Sequence, residues 1–321
     1  MLTPNAPPDD AVARFAGDVR QLLNGDAPGP LGVAVSGGPD SLALLLLAHA
    51  AFSGQVEAAT VDHRLRDGSD EEAHFVARLC ATLDVPHTIV TLDPTARDRG
   101  NLSDWARTER YKALDQWGDA RGLAHLLTAH HGDDQLETML MRLNRGSGVA
   151  GLAGIRARRG RLLRPLLGWR KVELEEIVRQ CGIEAVDDPS NRNDRYDRAR
   201  LRKDLAGVTW LDAAAAARSA AALAQAEAAL DWAARHWAEQ RLLHAGDAVT
   251  LDIQGLPAEL VRRLVLMAMQ RIRGNAAPRG EDLDRLIARL QRGEAATLAG
   301  VKARGGVLWR FSAAPPHRAR A

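Results

Sequence analysis

The sequence predicts an α/β fold: a doubly wound parallel sheet in the first two hundred residues, followed by a smaller, mostly helical α+β domain. Three observations predict it. Short β-leaning runs alternate with helix-like segments of ten or more residues from Leu31 to Leu143, the pattern of βαβ units. The first of these runs ends in Gly37-Gly38-Pro39, a turn that leads directly into a helix. Beyond Asp212 the chain becomes rich in alanine and the alternation stops. The boundary falls in the segment Ala206–Asp212, giving domains 1–210 and 211–321.

In order, Leu31–Ser36 reads as a first strand and Asp40–Phe52 as a buried helix. Val56–Asp62 is a second strand, Ser69–Leu83 a polar-faced helix and His87–Leu92 a third strand. Leu102–Arg121 is a helix with Trp105, Tyr111, Leu114 and Trp117 at apolar positions. Leu123–Thr128 and Asp133–Leu143 complete the alternation, and Arg170–Cys181 adds a helix. In the second domain Asp212–His244 is a long helix whose Trp232 and Trp237 are expected in the core. A strand (Val249–Ile253), two helices (Pro257–Arg273 and Glu281–Arg292) and two strand-like runs around Gly305-Gly306 follow.

Composition bounds the function. There are 43 Lys and Arg against 41 Asp and Glu, a net charge of +2, which excludes a uniformly basic coat but not local patches. The two cysteines, Cys80 and Cys181, lie far apart, so neither a disulfide framework nor a zinc or iron–sulfur ligand set is expected within the chain. No secretory signal and no apolar run of membrane-spanning length is visible, which points to the cytoplasm. Arg156–Arg170 holds six arginines and no acid, and reads either as a solvated face or as a track for an RNA backbone.

Open parallel sheets bind ligands at the carboxyl ends of their strands. There stands Ser36-Gly37-Gly38-Pro39-Asp40-Ser41, between strand and helix. Its glycines let the backbone approach a phosphate, the helix start offers free N–H groups, and the serines add hydroxyls. Asp40 beside a phosphate calls for an intervening cation, which suggests Mg²⁺. The loop is neither a Walker loop nor GxGxxG. After the fourth strand comes Thr128-Ala129-His130-His131-Gly132-Asp133-Asp134-Gln135-Leu136-Glu137. Asp134 and Glu137, at i,i+3, can share a helix face, as can Asp133 and Glu137. The spacing is not HExxH, so zinc is not expected; carboxylates here suit Mg²⁺ or an ammonium group. Asp62 and His63 close the second strand and read equally as ligand contacts or as a strand-end cap, and Arg64 and Arg66 as phosphate contacts or solvated charges.

SGGPDS resembles the pyrophosphatase loop of the N-type ATP-pyrophosphatase superfamily. Val61–Arg66 (VDHRLR), the HHGDDQLET block and Arg142–Ile155 (RLNRGSGVAGLAGI) are similar to motifs of the tRNA-isoleucine lysidine synthetases within it. Asp187–Asn193 and Arg198–Arg202 also resemble family motifs, although Ala199 stands where the family often has Asn. Beyond Asp212 only Thr297–Gly300 is faintly similar. The resemblance implies ATP cleavage between the α and β phosphates, adenylation of the 2-oxo group of the wobble cytidine of an isoleucine tRNA, and attack by L-lysine. It implies ATP and Mg²⁺ as cofactors and no membrane, with both monomer and homodimer open. Carried over residue by residue, Asp40, Asp62, Asp134 and Glu137 are the catalytic candidates. Ser36, Gly37, Gly38, Pro39, Asp40, Ser41, His63 and His130 are the nucleotide candidates, and Asp40 and Asp134 the Mg²⁺ candidates. The rival readings are a tRNA thiolase, disfavoured by the separated cysteines, and a non-catalytic adenine-nucleotide or RNA-binding module. The second domain, 211–321, is expected to hold the tRNA.

Overall fold

A computed structural model describes residues 3–64, 68–93, 102–185, 197–205 and 207–315, the side chains of 103 and 197–199 apart. Leu65, Arg66, Asp187–Asn193 and the side chains of Arg198 and Ala199 therefore lie outside the described residues. The chain forms two compact units, Met1–Ala224 and Gln225–Ala321.

In the first unit, α1 (Asp9–Leu23), β1 (Leu31–Ala34), α2 (Pro39–Ala51), β2 (Val56–Asp62), α3 (Ser69–Thr82) and β3 (His87–Thr91) come first. They are followed by α4 (Leu102–Arg121), β4 (His125–Leu127), α5 (Gly132–Leu143), α6 (Val149–Leu152), β5 (Arg158–Arg159), β6 (Leu162–Leu163), α7 (Lys171–Gln180) and α8 (Asp197–Leu205). The sheet order is β3-β2-β1-β4-β6-β5, parallel throughout except at β5–β6. Strand order reverses between β1 and β4, so a crevice opens there at the carboxyl edge. One face is covered by α1, α2, α3 and α7, the other by α4 through Leu114 and Trp117.

The helix α1 is absent from the expectations above, and it explains α2. From Ser41 to Ala48 every residue of α2 is buried, which a helix tolerates only when other elements surround it. α1 lies against it with Phe15, Val19 and Leu23, spaced i, i+4, i+8, and α7 packs beside it with Leu174 and Ile177.

The long helix α9 (Ala213–Arg241) begins just after the expected boundary, and the two compact units divide within it. The second unit continues with β7 (Leu242–Ala245), β8 (Ala248–Leu251), α10 (Ala258–Ile272), α11 (Gly280–Gln291), β9 (Ala295–Leu298), β10 (Val301–Arg304) and β11 (Trp309–Ala313). Its sheet is antiparallel, ordered β7-β8-β11-β10-β9, with five strands where three were expected. The extra strands are four-residue edge segments, too short to show alternation in sequence. Trp237 packs partly into the core, as expected, but Trp232 is 65% exposed and stacks on His236 at 5.6 Å. Five positions on a helix are about 140° apart, so the two tryptophans cannot share a face.

The arginine block also departs from an RNA track. Arg158 donates to the carbonyls of Leu22 and Leu23 and pairs with Asp26 at 2.8 Å. Arg161 pairs with Asp115 at 3.0 Å and Asp119 at 2.7 Å. Arg164 is buried, donating to the Arg156 carbonyl at 2.7 Å, and Arg170 meets Asp133 at 3.4 Å. These four are committed within the chain; only the side chains of Arg156 and Arg159 show no partner among the described residues.

Candidate functional site

The loop after β1 is built by its own serines. Ser41 Oγ donates to the Gly38 carbonyl at 3.0 Å and accepts from the Ser36 N–H at 3.0 Å. That leaves Ser36 Oγ as the donor across the 3.1 Å contact between the two hydroxyls. Gly37 sits at φ +88°, where a side chain is strained. Gly38 has an ordinary φ of −73°, and a Cβ there would meet nothing nearer than Ser36 Oγ at 3.9 Å. At this position glycine leaves open space rather than relieving strain. Pro39 opens α2 at a position whose N–H would be orphaned in any case. A helix start of this kind leaves first-turn N–H groups without intrahelical partners, the groups that bind phosphate in such loops.

His131 faces this loop from the end of β4 and caps α5. Its Nδ1 accepts from the Asp134 N–H at 3.4 Å, and the Asp134 carboxylate accepts from the His131 N–H at 3.2 Å. His131 Nε2 lies 3.5 Å from Asp40 Oδ2 and 3.6 Å from Asp134 Oδ2. Burial works against a charged His131, but the hydrogen bond to Asp40 and the charges of Asp134, Asp40 and Asp133 outweigh it and raise its pKa. For Asp134 burial favours the neutral acid, yet His131, His130 and Arg202 overcome it and hold the carboxyl below its usual range.

Arg202, from α8, closes the cluster. Its Nε donates to Glu137 Oε1, and its Nη2 lies 3.2 Å from Asp134 Oδ1. Glu137 is 4% exposed, and Arg202 gives this buried acid a cationic partner. Asp40, His131, Asp134, Glu137 and Arg202 thus form one connected ionic group beside the loop. Asp40 Oδ1 is buried there without a hydrogen-bond partner among the described residues. An acid oxygen in that condition fits a cation, and Mg²⁺ bound through one or two carboxylates plus substrate phosphates is a common arrangement. Both oxygens of Asp134 are engaged, so a metal role for it requires Arg202 or His131 to let go.

Other expected residues have different surroundings. Asp133 accepts from the Lys171 N–H at 2.8 Å, at the start of α7, and the same oxygen lies 3.7 Å from His131 Nδ1. Asp62 Oδ1 accepts from the Arg64 N–H at 2.9 Å, the strand-end cap of the two readings, and no bond joins it to Asp40, Asp134 or Glu137 among the described residues. His63 Nε2 accepts from Arg110 at 3.3 Å; burial and the arginine charge lower its pKa to about 4. His130 Nδ1 lies 3.2 Å from Thr128 Oγ1. Gln135 exchanges two hydrogen bonds with the backbone of Ile155, at 2.9 and 2.6 Å, which ties the RLNRGSGVAGLAGI segment to α5. A Cβ on Gly154, at φ +62°, would lie 2.3 Å from that Gln135 side chain.

Two central residues are missing from the sequence-derived candidates. His131 faces the loop; the signal was its place immediately before the helix start, where an N-cap belongs. Arg202 was visible only as the last arginine of the Arg198–Arg202 motif.

A family model described as a PP-loop domain matches residues 12–208. The tRNA(Ile)-lysidine synthase of Zymomonas mobilis subsp. mobilis is 44% identical over 308 residues, covering 94% of this chain and 93% of its own length. That of Novosphingobium aromaticivorans is 44% identical over 320 residues, covering 96% and 95%. Among solved structures, a U34-tRNA thiolase from Methanococcus maripaludis, determined with its 4Fe-4S cluster, aligns with a TM-score of 0.54 at 16% identity. It covers 66% of this chain and 78% of that one, and the likeness concerns the fold alone.

Proposed function

The chain belongs to the tRNA(Ile)-lysidine synthase family of PP-loop enzymes and is an ATP-dependent ligase, and on that premise we propose that it joins L-lysine to the wobble cytidine of an isoleucine tRNA. One observation carries the reading: the open loop Ser36–Ser41, the half-buried Asp134 and, through Arg202, the buried Glu137 converge on Asp40 and His131 at the switch point of one sheet. The cytidine 2-oxo oxygen attacks the α-phosphate of ATP, and pyrophosphate leaves. The lysine ε-amine then attacks the activated ring carbon, AMP leaves, and the amine gives up a proton.

The loop N–H groups and the dipole of α2 stabilise charge on the departing phosphates. When bound, Mg²⁺ neutralises phosphate charge, and Asp40 would hold it through its orphaned oxygen. Asp134 and Glu137 are the acids suited to a lysine ammonium, which competes there with the Arg202 guanidinium. Ser36, Gly37, Gly38, Pro39 and Ser41 shape the phosphate site; Asp62, His63 and His130 remain candidates from the family resemblance. The thiolase reading gains nothing from the fold likeness. Both cysteines are buried, and burial pushes the Cys80 thiol up to about 12 and raises that of Cys181, which works against a thiolate at either.

The test omits ATP, tRNA and lysine in turn. Pyrophosphate should appear only with tRNA present, and modified cytidine only with lysine. Asp40→Ala should stop both in a folded protein. Pyrophosphate release that ignores tRNA, or near wild-type turnover of Asp40→Ala at ordinary Mg²⁺, overturns the proposal.

A further inference from the structure

We propose that the open face of the second unit's antiparallel sheet binds the phosphate backbone of double-helical RNA in the tRNA substrate, through Lys302, Arg304 and Arg310. This rests on the reading of the substrate as tRNA. The two strands that carry these cations, β10 and β11, alternate in burial. Val249, Leu251, Val301, Ala303, Trp309 and Phe311 point into the core beneath α10 and α11, so their neighbours must point the other way. Arg304 stands directly opposite Arg310, and Lys302 lies two residues along from Arg304 on the same face. All three side chains are exposed, and none has an ion pair or hydrogen bond among the described residues.

Their isolation is not a shortage of acids. In the same unit Arg263 meets Glu227 and Glu259, Arg262 meets Asp284, and Arg289 and Arg292 share Glu294. Yet no strand position on the open face carries an acid. Like charges set directly across an antiparallel pair destabilise it, so the arrangement makes sense once a polyanion lies over it. Thr297 and Ser312 stand opposite Lys302, and Thr250 opposite Arg310, which adds neutral hydroxyl donors of the kind that contact phosphate. Trp309 and Phe311, the aromatics of β11, are both turned inward. A surface that reads unpaired bases stacks them on aromatics; this one turns no strand aromatic outward and offers charge and hydroxyls with one exposed aliphatic, Leu243 opposite Thr250, which suits the outside of a duplex.

The test measures affinity for the cognate tRNA from about 50 to about 200 mM salt. Lys302→Gln, Arg304→Gln and Arg310→Gln together should make the dependence of log K on log salt shallower by roughly two to three units, and weaken binding at the lowest salt about tenfold or more. An unrelated RNA hairpin should lose the same salt-dependent component, because phosphate contacts carry no sequence information. The three positions are exposed, and circular dichroism checks that the triple variant is folded. Should it not fold, Arg310→Thr alone should still flatten the slope by about one unit. Wild-type binding with an unchanged slope in the folded variants overturns this inference and leaves the proposed function standing. A wild-type chain that binds no tRNA overturns both.

Discussion

Arg156–Arg170 and the open face of the C-terminal sheet are both basic, and they use their charge in opposite ways. The first packs six arginines into fifteen positions with no acid among them. Folding brings Asp26, Asp115, Asp119 and Asp133 to it from elsewhere in the chain, along with the carbonyls of Leu22 and Leu23. The second has three cations scattered over nine positions, unremarked in sequence, and strand alternation collects them on one face without a single acid. Charge density along a chain is therefore a poor guide to charge density on a surface. A turn-rich segment that packs between helices acquires partners, whereas a sheet face turned away from the core acquires none.

The sharpest way to break this contrast is Arg164→Ala. Arg164 is 5% exposed and donates to the Arg156 carbonyl. Its loss leaves a cavity and an unpaired carbonyl, and should cost about 3 kcal/mol in urea unfolding. Unchanged stability with a weaker salt dependence of tRNA binding would return the block to the RNA.

Asp133→Ala comes next. It removes the cap on α7 and the partner of Arg170, and should lower stability by about 1–2 kcal/mol. Full stability would show that the cap and ion pair carry little. Arg158→Ala and Arg161→Ala should each cost about 1 kcal/mol, since their acid partners are largely exposed. Neither should move the salt slope for tRNA; a flattening by one unit apiece would equate the two basic regions.

The smallest effect sharpens the contrast from the other side. Arg310→Thr removes a like-charge opposition with Arg304 and places a β-branched residue in a strand. Stability of the free protein should rise by about 0.2–1 kcal/mol. A fall in thermal unfolding temperature would mean that Arg310 has a stabilising partner and that the face is not an unpaired cationic surface.

The sequence by itself determined the parallel sheet, the loop at the end of β1 and the acidic start of α5. Each is a local pattern: alternation of apolar runs, glycines before a helix, acids in a first turn. It also contained the acids of the site, Asp40, Asp134 and Glu137. Tertiary structure decided how these are joined. Only the pairing of β1 with β4 sets His131 against Asp40, and only the return of the chain at α8 supplies Arg202 to Glu137, 65 residues away. The sharing of faces between Asp133 and Glu137 was equally open at i,i+4 until α7 offered Asp133 a free N–H at Lys171. Hydrophobic periodicity is written in neighbouring residues because burial acts on one side of one element. Ion pairing is not, because a charge takes whichever partner the fold brings within about 4 Å.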